Sequence, residues 1–303
     1  MEYVIVDKEY GKAGVKLLFA SKVGKKHSIK ELEVETSLTL ASEKDYKYGD
    51  NSDIIATDSQ KNTVYVLAKQ FGVESLEKFG IILANHFITK YPWVLRARVA
   101  LSQTPWKRIQ DPEGVEHNHA FFNSPSSTRI AEVIMDRTRV PKVRSGIRGL
   151  TVIKTTQSAF VNFVSDEYRT LPDAEDRIFS TIVTADWSYA NISNCFGYSW
   201  ISLYCTVEST IIDVFAGPAY NGVYSPSVQN TQYEAQKSIM KKIPQISSVK
   251  ISMPNRHYFP VDFTRFNIPE VQGEGAGQVL MPVDKPSGMI TSNLARSALT
   301  SKL

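Results

Sequence analysis

The stretch SLEKFGIILANHFITKYPWVLRARVAL, residues 75–101, decides the fold. Between Ser75 and Tyr91, Leu76, Phe79, Leu83 and Phe87 recur at helical spacing, so a helix there carries an apolar stripe that has to be covered. Pro92 stops it, because proline has no amide hydrogen to donate and its ring restricts the residue before it. From 94 to 101 the period drops to two: Leu95, Ala97, Val99 and Leu101 fall on one side, Arg96 and Arg98 on the other. A helix with one apolar stripe next to a strand with one apolar face makes a helix-on-sheet layer.

The same grammar runs outward in both directions. Residues 14–23 read as an extended run. Across the turn-like Gly24-Lys25-Lys26-His27, residues 29–38 alternate, with Leu32, Val34, Thr36 and Leu38 opposite Glu31, Glu33, Glu35 and Ser37. That acidic face has to meet water or basic partners, so the sheet is buried on one side only. Ile54-Ile55-Ala56 reads as an apolar strand ending in the acidic-hydroxyl turn Thr57-Asp58-Ser59, a place to present a hydroxyl and a carboxylate. Further on, 150–153 and 179–187 read as strands. Residues 228–243 read as a helix carrying Val228, Ala235, Ile239 and Ile243, followed by Pro244 and a strand with Val249, Ile251 and Met253 on one face. Helix, proline and alternating strand thus occur twice. The repeat predicts an α+β chain of two tandem domains, 1–136 and 137–303, with antiparallel sheets and helices on one face.

Composition excludes several classes. With 42% hydrophobic residues in 303, the chain can build real cores. No apolar run approaches the roughly 18–20 residues that cross a bilayer, so no membrane partner is expected. Residues Met1 to Asp7 carry two acids and no base, unlike a secretory signal. The net charge is +4, and the densest basic stretch (Arg137, Arg139, Lys142, Arg144, Arg148) has no interleaved aromatics to stack on bases. It reads as a solvated or subunit-contacting face, and no nucleic acid is expected. Cys195 and Cys205 are too few for a disulfide framework or a thiolate metal site. His117-Asn118-His119 lacks a recognisable third ligand, so no metal is expected. Gly273-x-Gly275-x-Gly277 lacks the strand and helix of a dinucleotide site. The sequon Asn191-Ile192-Ser193 matters only in a secreted chain.

Six motifs then occur in a telling order: YGK at 10–12, ATDSQKNTVY at 56–65, SAF at 158–160, LPDAEDRI at 171–178, SVQNTQY at 227–233 and PNRHYF at 254–259. Together they resemble the urate oxidases (uricases) over nearly the whole length. The resemblance implies the tunnelling fold (T-fold), whose sheets close into a barrel only when subunits associate. It implies a homotetramer with active sites at subunit interfaces. It also implies oxidation of urate by O2 and water to 5-hydroxyisourate and hydrogen peroxide, with neither metal nor organic cofactor. The terminal Ser301-Lys302-Leu303 reads as a peroxisomal address, which makes an import receptor a partner.

The resemblance also assigns roles. Urate is a flat anion edged with carbonyls and ring N–H groups. Phe160 would stack on it, Arg177 would offer a planar fork and Gln229 a donor beside an acceptor. Leu171, Val228 (through its backbone), Thr57 and Asp58 complete the substrate contacts. Lys12, Thr57 and His257 would form a proton relay, and Asn255 would hold O2 or water above the ring. The match weakens between Ser188 and Thr210, where Glu208 stands in place of an expected arginine and extra residues surround Trp200-Ile201-Ser202. That window motivates a second reading, an assembling peroxisomal protein with little activity. A third, a pterin enzyme of the same fold, would need an anchoring glutamate that the Arg-plus-Gln edge does not supply.

Overall fold

The computed structural model describes residues 3–124, 127–190, 197–271 and 278–297. The sequon, Cys195, the Gly273–Gly277 run and Ser301-Lys302-Leu303 lie outside them. By internal contacts the chain forms two compact units, one of residues 1–148, 186–205 and 244–248, the other of 149–185, 206–243 and 249–303. The 1–136 and 137–303 division follows a repeated pattern along the chain, a criterion different from compactness.

In the first unit β1 (Tyr10–Val23) and β2 (Lys26–Leu40) form the expected hairpin. Next come β3 (Val94–Gln103), β6 (Thr128–Asp136) and the start of β7 (Lys142–Lys154), all antiparallel, in the order β1-β2-β3-β6-β7. A separate two-stranded sheet pairs β4 (Trp106–Gln110) with β5 (Glu116–Asn123). Among the described residues, three helices lie wholly in this unit: the short α1 (Lys44–Tyr48), α2 (Thr57–Phe71) and α3 (Leu76–Lys90).

Helix α3 behaves as its sequence requires. Ser75 caps it, its hydroxyl accepting from the Lys78 N–H at 3.1 Å. Leu76, Phe79, Leu83 and Phe87 are all fully buried. Gly80 lets the helix seat closely, since a methyl group there would lie 2.8 Å from Val133 Cγ2 and 3.0 Å from Leu101 Cδ1. Gly80→Ala should therefore lower stability by about 1–3 kcal/mol through overpacking, although alanine alone favours a helix by about 1 kcal/mol. A chemical-denaturation midpoint measures the sign directly.

Two expectations are corrected. Leu95 does not share the inner face with Ala97, Val99 and Leu101: it is exposed, and Val94 is buried instead. A register shift between Thr39 and Leu40 sets Leu40 opposite Val94, and such a bulge swaps faces at the strand end. Nor do Ile54-Ile55-Ala56 form a strand. The Ile54 N–H closes a turn on the Asn51 carbonyl, the Ile55 N–H donates to the Tyr10 hydroxyl, and the Gln60 amide donates to the Ile55 carbonyl. Their backbone groups are thus satisfied without a ladder. Thr57, Asp58 and Ser59 form the first turn of α2 rather than a turn after a strand.

The polar face of the first sheet carries alternating charges. Glu35 accepts from Arg98, Arg98 also donates to Glu132, Arg144 pairs with Glu132, and Arg148 pairs with Asp186, at 2.7–3.1 Å. Two arginines of the basic stretch thus sit in strand β7, answering acids across the sheet. The 150–153 strand is the end of this longer one. On the inner side, fully buried Glu77 accepts from Arg129 and from the Ser145 hydroxyl, both at 2.6 Å. The Tyr189 hydroxyl donates to Ser145, and its burial holds the phenol far above its ordinary range.

In the second unit, β8 (Phe179–Tyr189) supplies its first half and pairs with β10 (Asn255–Pro260), which pairs with β11 (Leu280–Val283). Strand β9 (Ile246–Ser252) pairs with β8 and with β12 (Thr291–Ala295). Helix α4 (Trp200–Ala216) lies in the window where the family pattern weakens, yet its Trp200, Tyr204, Val207, Ile211 and Phe215 are buried at helical spacing. In α5 (Val228–Lys242), buried Gln232 and Gln236 donate to the carbonyls of Ile251 and Val249 in β9, which sets where the helix begins. Among the described residues no helix is long and apolar enough to cross a membrane.

Candidate active site

A cavity of about 160 Å³ opens in the second unit, and Phe160, Leu171, Arg177, Asn255 and His257 all line it. They come from three segments brought together by backbone pairing. Phe160 and Ala174 exchange N–H···O bonds at 2.8 and 3.0 Å, and the Arg177 N–H donates to the Ser158 carbonyl at 2.8 Å. Asn255 stands opposite Thr181 across the β8–β10 ladder, so Asn255 and His257 enter from the neighbouring strand. Phe163, which the sequence did not single out, stacks on Phe160 at 4.5 Å and 16°, steadying the ring.

Arg177 is the electrostatic centre. Its guanidinium lies 5.0 Å from the centre of the Phe160 ring. Burial pulls its pKa below the ordinary arginine value, though an arginine stays protonated. Among the described residues no carboxylate pairs with it. A half-buried cation without a counter-ion is costly, and a bound anion would relieve that cost.

Val228 and Gln229 occupy the first turn of α5, Val228 buried and Gln229 exposed; neither lines the cavity. Ser227 caps the helix, its hydroxyl accepting from the Asn230 N–H at 3.1 Å. The first-turn N–H groups of a helix have no acceptor within it and favour an anion. Ser225 binds this start to the cavity wall, its carbonyl accepting from Ala159 and its N–H donating to Gln157, both at 2.9 Å. Ser227→Ala should cost about 1 kcal/mol of stability, by the usual worth of such a cap, and raise the KM of an anionic substrate a few-fold. Denaturation and steady-state kinetics on one preparation check both.

Lys12, Thr57 and Asp58 belong to the first unit. Asp58 accepts from Lys61 at 2.6 Å and Asn62 at 2.9 Å. The bond from Lys61 chiefly holds its carboxyl below the usual range, with a smaller contribution from nearby Lys12. Thr57 is exposed at the start of α2. Three residues to which the motifs assigned no role support this cluster. Fully buried Gln60 accepts from the Thr36 hydroxyl at 2.9 Å while holding the Ile55 carbonyl, and Tyr10 holds the Ile55 N–H. Gly11 must be glycine, because a side chain there would strike the Thr36 carbonyl at 1.7 Å. The signal for Gln60 was available: a glutamine in line with Val64, Leu67 and Ala68 on a helix face is a buried amide needing partners.

His117 and His119 pack ring to ring at 4.6 Å, and His27 lies 5.8 Å from His119. The His117 Nδ1 accepts from the His119 and Ala120 N–H groups. No group of three or more ligand side chains among the described residues could hold a metal ion.

These features define an antiparallel α+β protein of the T-fold class with a pocket lined by an aromatic ring and a guanidinium. The Uricase family model matches residues 8–134 and 143–291. The uricase of Drosophila melanogaster is 44% identical, covering 100% of this chain and 92% of that protein. The Oryctolagus cuniculus uricase is 43% identical, covering 97% and 95%. The crystal structure of uricase from Arthrobacter globiformis matches with a TM-score of 0.87 at 33% identity, over 98% of this chain and 96% of that one. The chain belongs to the uricase family.

Proposed function

We propose that the chain is a cofactor-free urate oxidase whose pocket around Arg177 binds urate. As a member of its family it is an oxidoreductase acting on urate. The observation that carries the finer reading is the unneutralised Arg177 fork beside Phe160, in one cavity with Asn255 and His257. Arg177 and Gln229 grip the polar edge of urate, Phe160 and Leu171 hold its faces, and the Val228 backbone closes one side. Each hydrogen bond to the charged ligand contributes about 1.5–3 kcal/mol, against about 0.5–1.5 kcal/mol for the ring contact beyond its area. The polar edge therefore governs selectivity.

The urate dianion itself is the electron source. It passes one electron to O2, the radical pair combines, and water replaces peroxide to leave 5-hydroxyisourate and hydrogen peroxide. Asn255 holds O2 and then water over the ring. Lys12, Thr57 and His257 move the protons, an amine and an imidazole linked through a hydroxyl. Lys12, Thr57 and Asp58 reach the pocket from a second copy of the chain in a homotetramer, where sheets of several copies close the barrel. The C-terminal Ser301-Lys302-Leu303 sends the enzyme to the peroxisome through the import receptor.

The test is to mix purified protein with urate in metal-chelated, aerated buffer and follow urate absorbance, O2 uptake and peroxide together. Equal loss of urate and O2 with matching peroxide supports the reading. A tetramer that binds a urate analogue but makes no peroxide overturns it in favour of a structural role.

A further inference from the structure

Lys154 is a half-buried ammonium in the second unit that no part of the proposed mechanism uses. Its Nζ donates to the Val223 carbonyl and to the Ser225 hydroxyl, each at 2.8 Å. It also lies 5.4 Å from the centre of the Phe215 ring and 5.9 Å from that of Phe179. Among the described residues it has no acidic partner, and burial alone pulls its pKa below the ordinary lysine value. A lysine held this way costs stability that a methionine would not, so its presence asks for another reason.

Its neighbours supply one. Ser225 is buried and makes four hydrogen bonds. Its hydroxyl accepts from Lys154 and from the Thr231 hydroxyl at 2.7 Å, and its backbone bonds to Gln157 and Ala159 form a short bridge opposite Ser158. Ser158 receives the Arg177 N–H, Ala159 precedes Phe160, and Thr231 sits in the first turn and a half of α5, just after Gln229. Lys154 therefore reaches, through one serine, its hydroxyl and its backbone, the three places from which the stacking ring, the guanidinium fork and the amide of the site are hung. Its charge adds a second effect. Among the described residues Lys154 and Arg177 both lack acidic partners, so the field of this unit favours an anion over a neutral ligand of the same shape.

We propose that Lys154 is a positioning residue for urate binding: it clamps residues 223–225 to the 157–160 segment and so holds Phe160, Arg177 and Gln229 in register for an anionic substrate. The inference rests on the reading of the pocket as a urate site.

The experiment compares Lys154→Met, Lys154→Arg and Ser225→Ala with the wild-type tetramer in urate steady-state kinetics and in titration with urate under anaerobic conditions. Expected are a KM and a urate dissociation constant raised at least tenfold in Lys154→Met, with kcat within threefold of wild type. Lys154→Arg should recover most of the affinity, and Ser225→Ala should shift KM in the same direction. A lysine with a merely structural role would lower the folded fraction, and with it apparent kcat, without moving KM. A folded Lys154→Met with KM within twofold of wild type overturns the proposal. If Lys154→Met does not fold, an unchanged KM in folded Ser225→Ala overturns it equally. Wild-type protein that neither binds nor consumes urate would instead remove the urate reading itself, which separates the two failures.

Discussion

Arg177→Ala is expected to raise the KM for urate by at least two orders of magnitude while leaving kcat at saturation within about tenfold. The fork supplies two hydrogen bonds to an anion at about 1.5–3 kcal/mol each, and every 1.4 kcal/mol is a factor of ten. Arg177→Lys should recover little of this, because an ammonium keeps the charge but not two parallel donors in one plane. Stability should move the other way. The guanidinium is half-buried without a carboxylate partner among the described residues, so its removal should leave the midpoint of denaturation unchanged or raise it. A gain in stability with a loss of affinity would mark Arg177 as a group kept for its ligand. Equal KM in wild type and variant, with both proteins folded, would refute the assignment of the pocket.

The uneven legibility of the chain has physical causes. Helix α3 could be read because its stripe is wholly apolar, and the β2 and β3 faces because alternation is clean where one side is wet. Helix α2 was hidden by its own composition: its buried face begins with Gln60, and its first turn carries the polar Thr57, Asp58 and Ser59, so its apolar period starts only at Val64. Strand β7 was hidden by Arg144 and Arg148, whose role appears only when Glu132 and Asp186 arrive from other strands; Val143, Ser145 and Ile147 alternate between them. The bulge that turns Leu95 outward depends on pairing with β2, which no local window contains. For the site, chemistry was legible only through the family's motifs. Phe160, Arg177 and His257 are distant in the chain, and what joins them is backbone pairing at Ala174, Ser158 and Thr181. Tyr10 and Gln60 lie inside motifs that gave them no role, and Lys154 lies outside them; each acts by satisfying a backbone group or hydroxyl elsewhere in the fold.

Lys12→Ala and Thr57→Ala should act on turnover, each lowering kcat by about 10²–10⁴-fold, the usual worth of a positioned proton carrier, with KM changed only a few-fold. If the two residues work as one relay, the double variant should be hardly slower than the worse single one, as groups acting in series are not additive. The two-unit arrangement allows a sharper experiment. Lys12 and Thr57 lie in one unit and Arg177 in the other, and each cluster is assembled by its own internal bonds. If each pocket takes its relay from a neighbouring copy, a tetramer mixing Lys12→Ala chains with Arg177→Ala chains will contain some pockets with both functions intact. Random pairing across such an interface gives about a quarter of the pockets an intact lysine from one chain and an intact arginine from the other. Co-expression of two nearly inactive variants should therefore restore roughly a quarter of wild-type activity, with normal KM in the restored fraction, since those pockets contain no altered group. If each chain supplied its own relay, every pocket in the mixture would carry one lesion, and activity would stay at the level of the separate variants. The size of the recovery, read beside tetramer content by sedimentation, decides between a shared pocket and a private one.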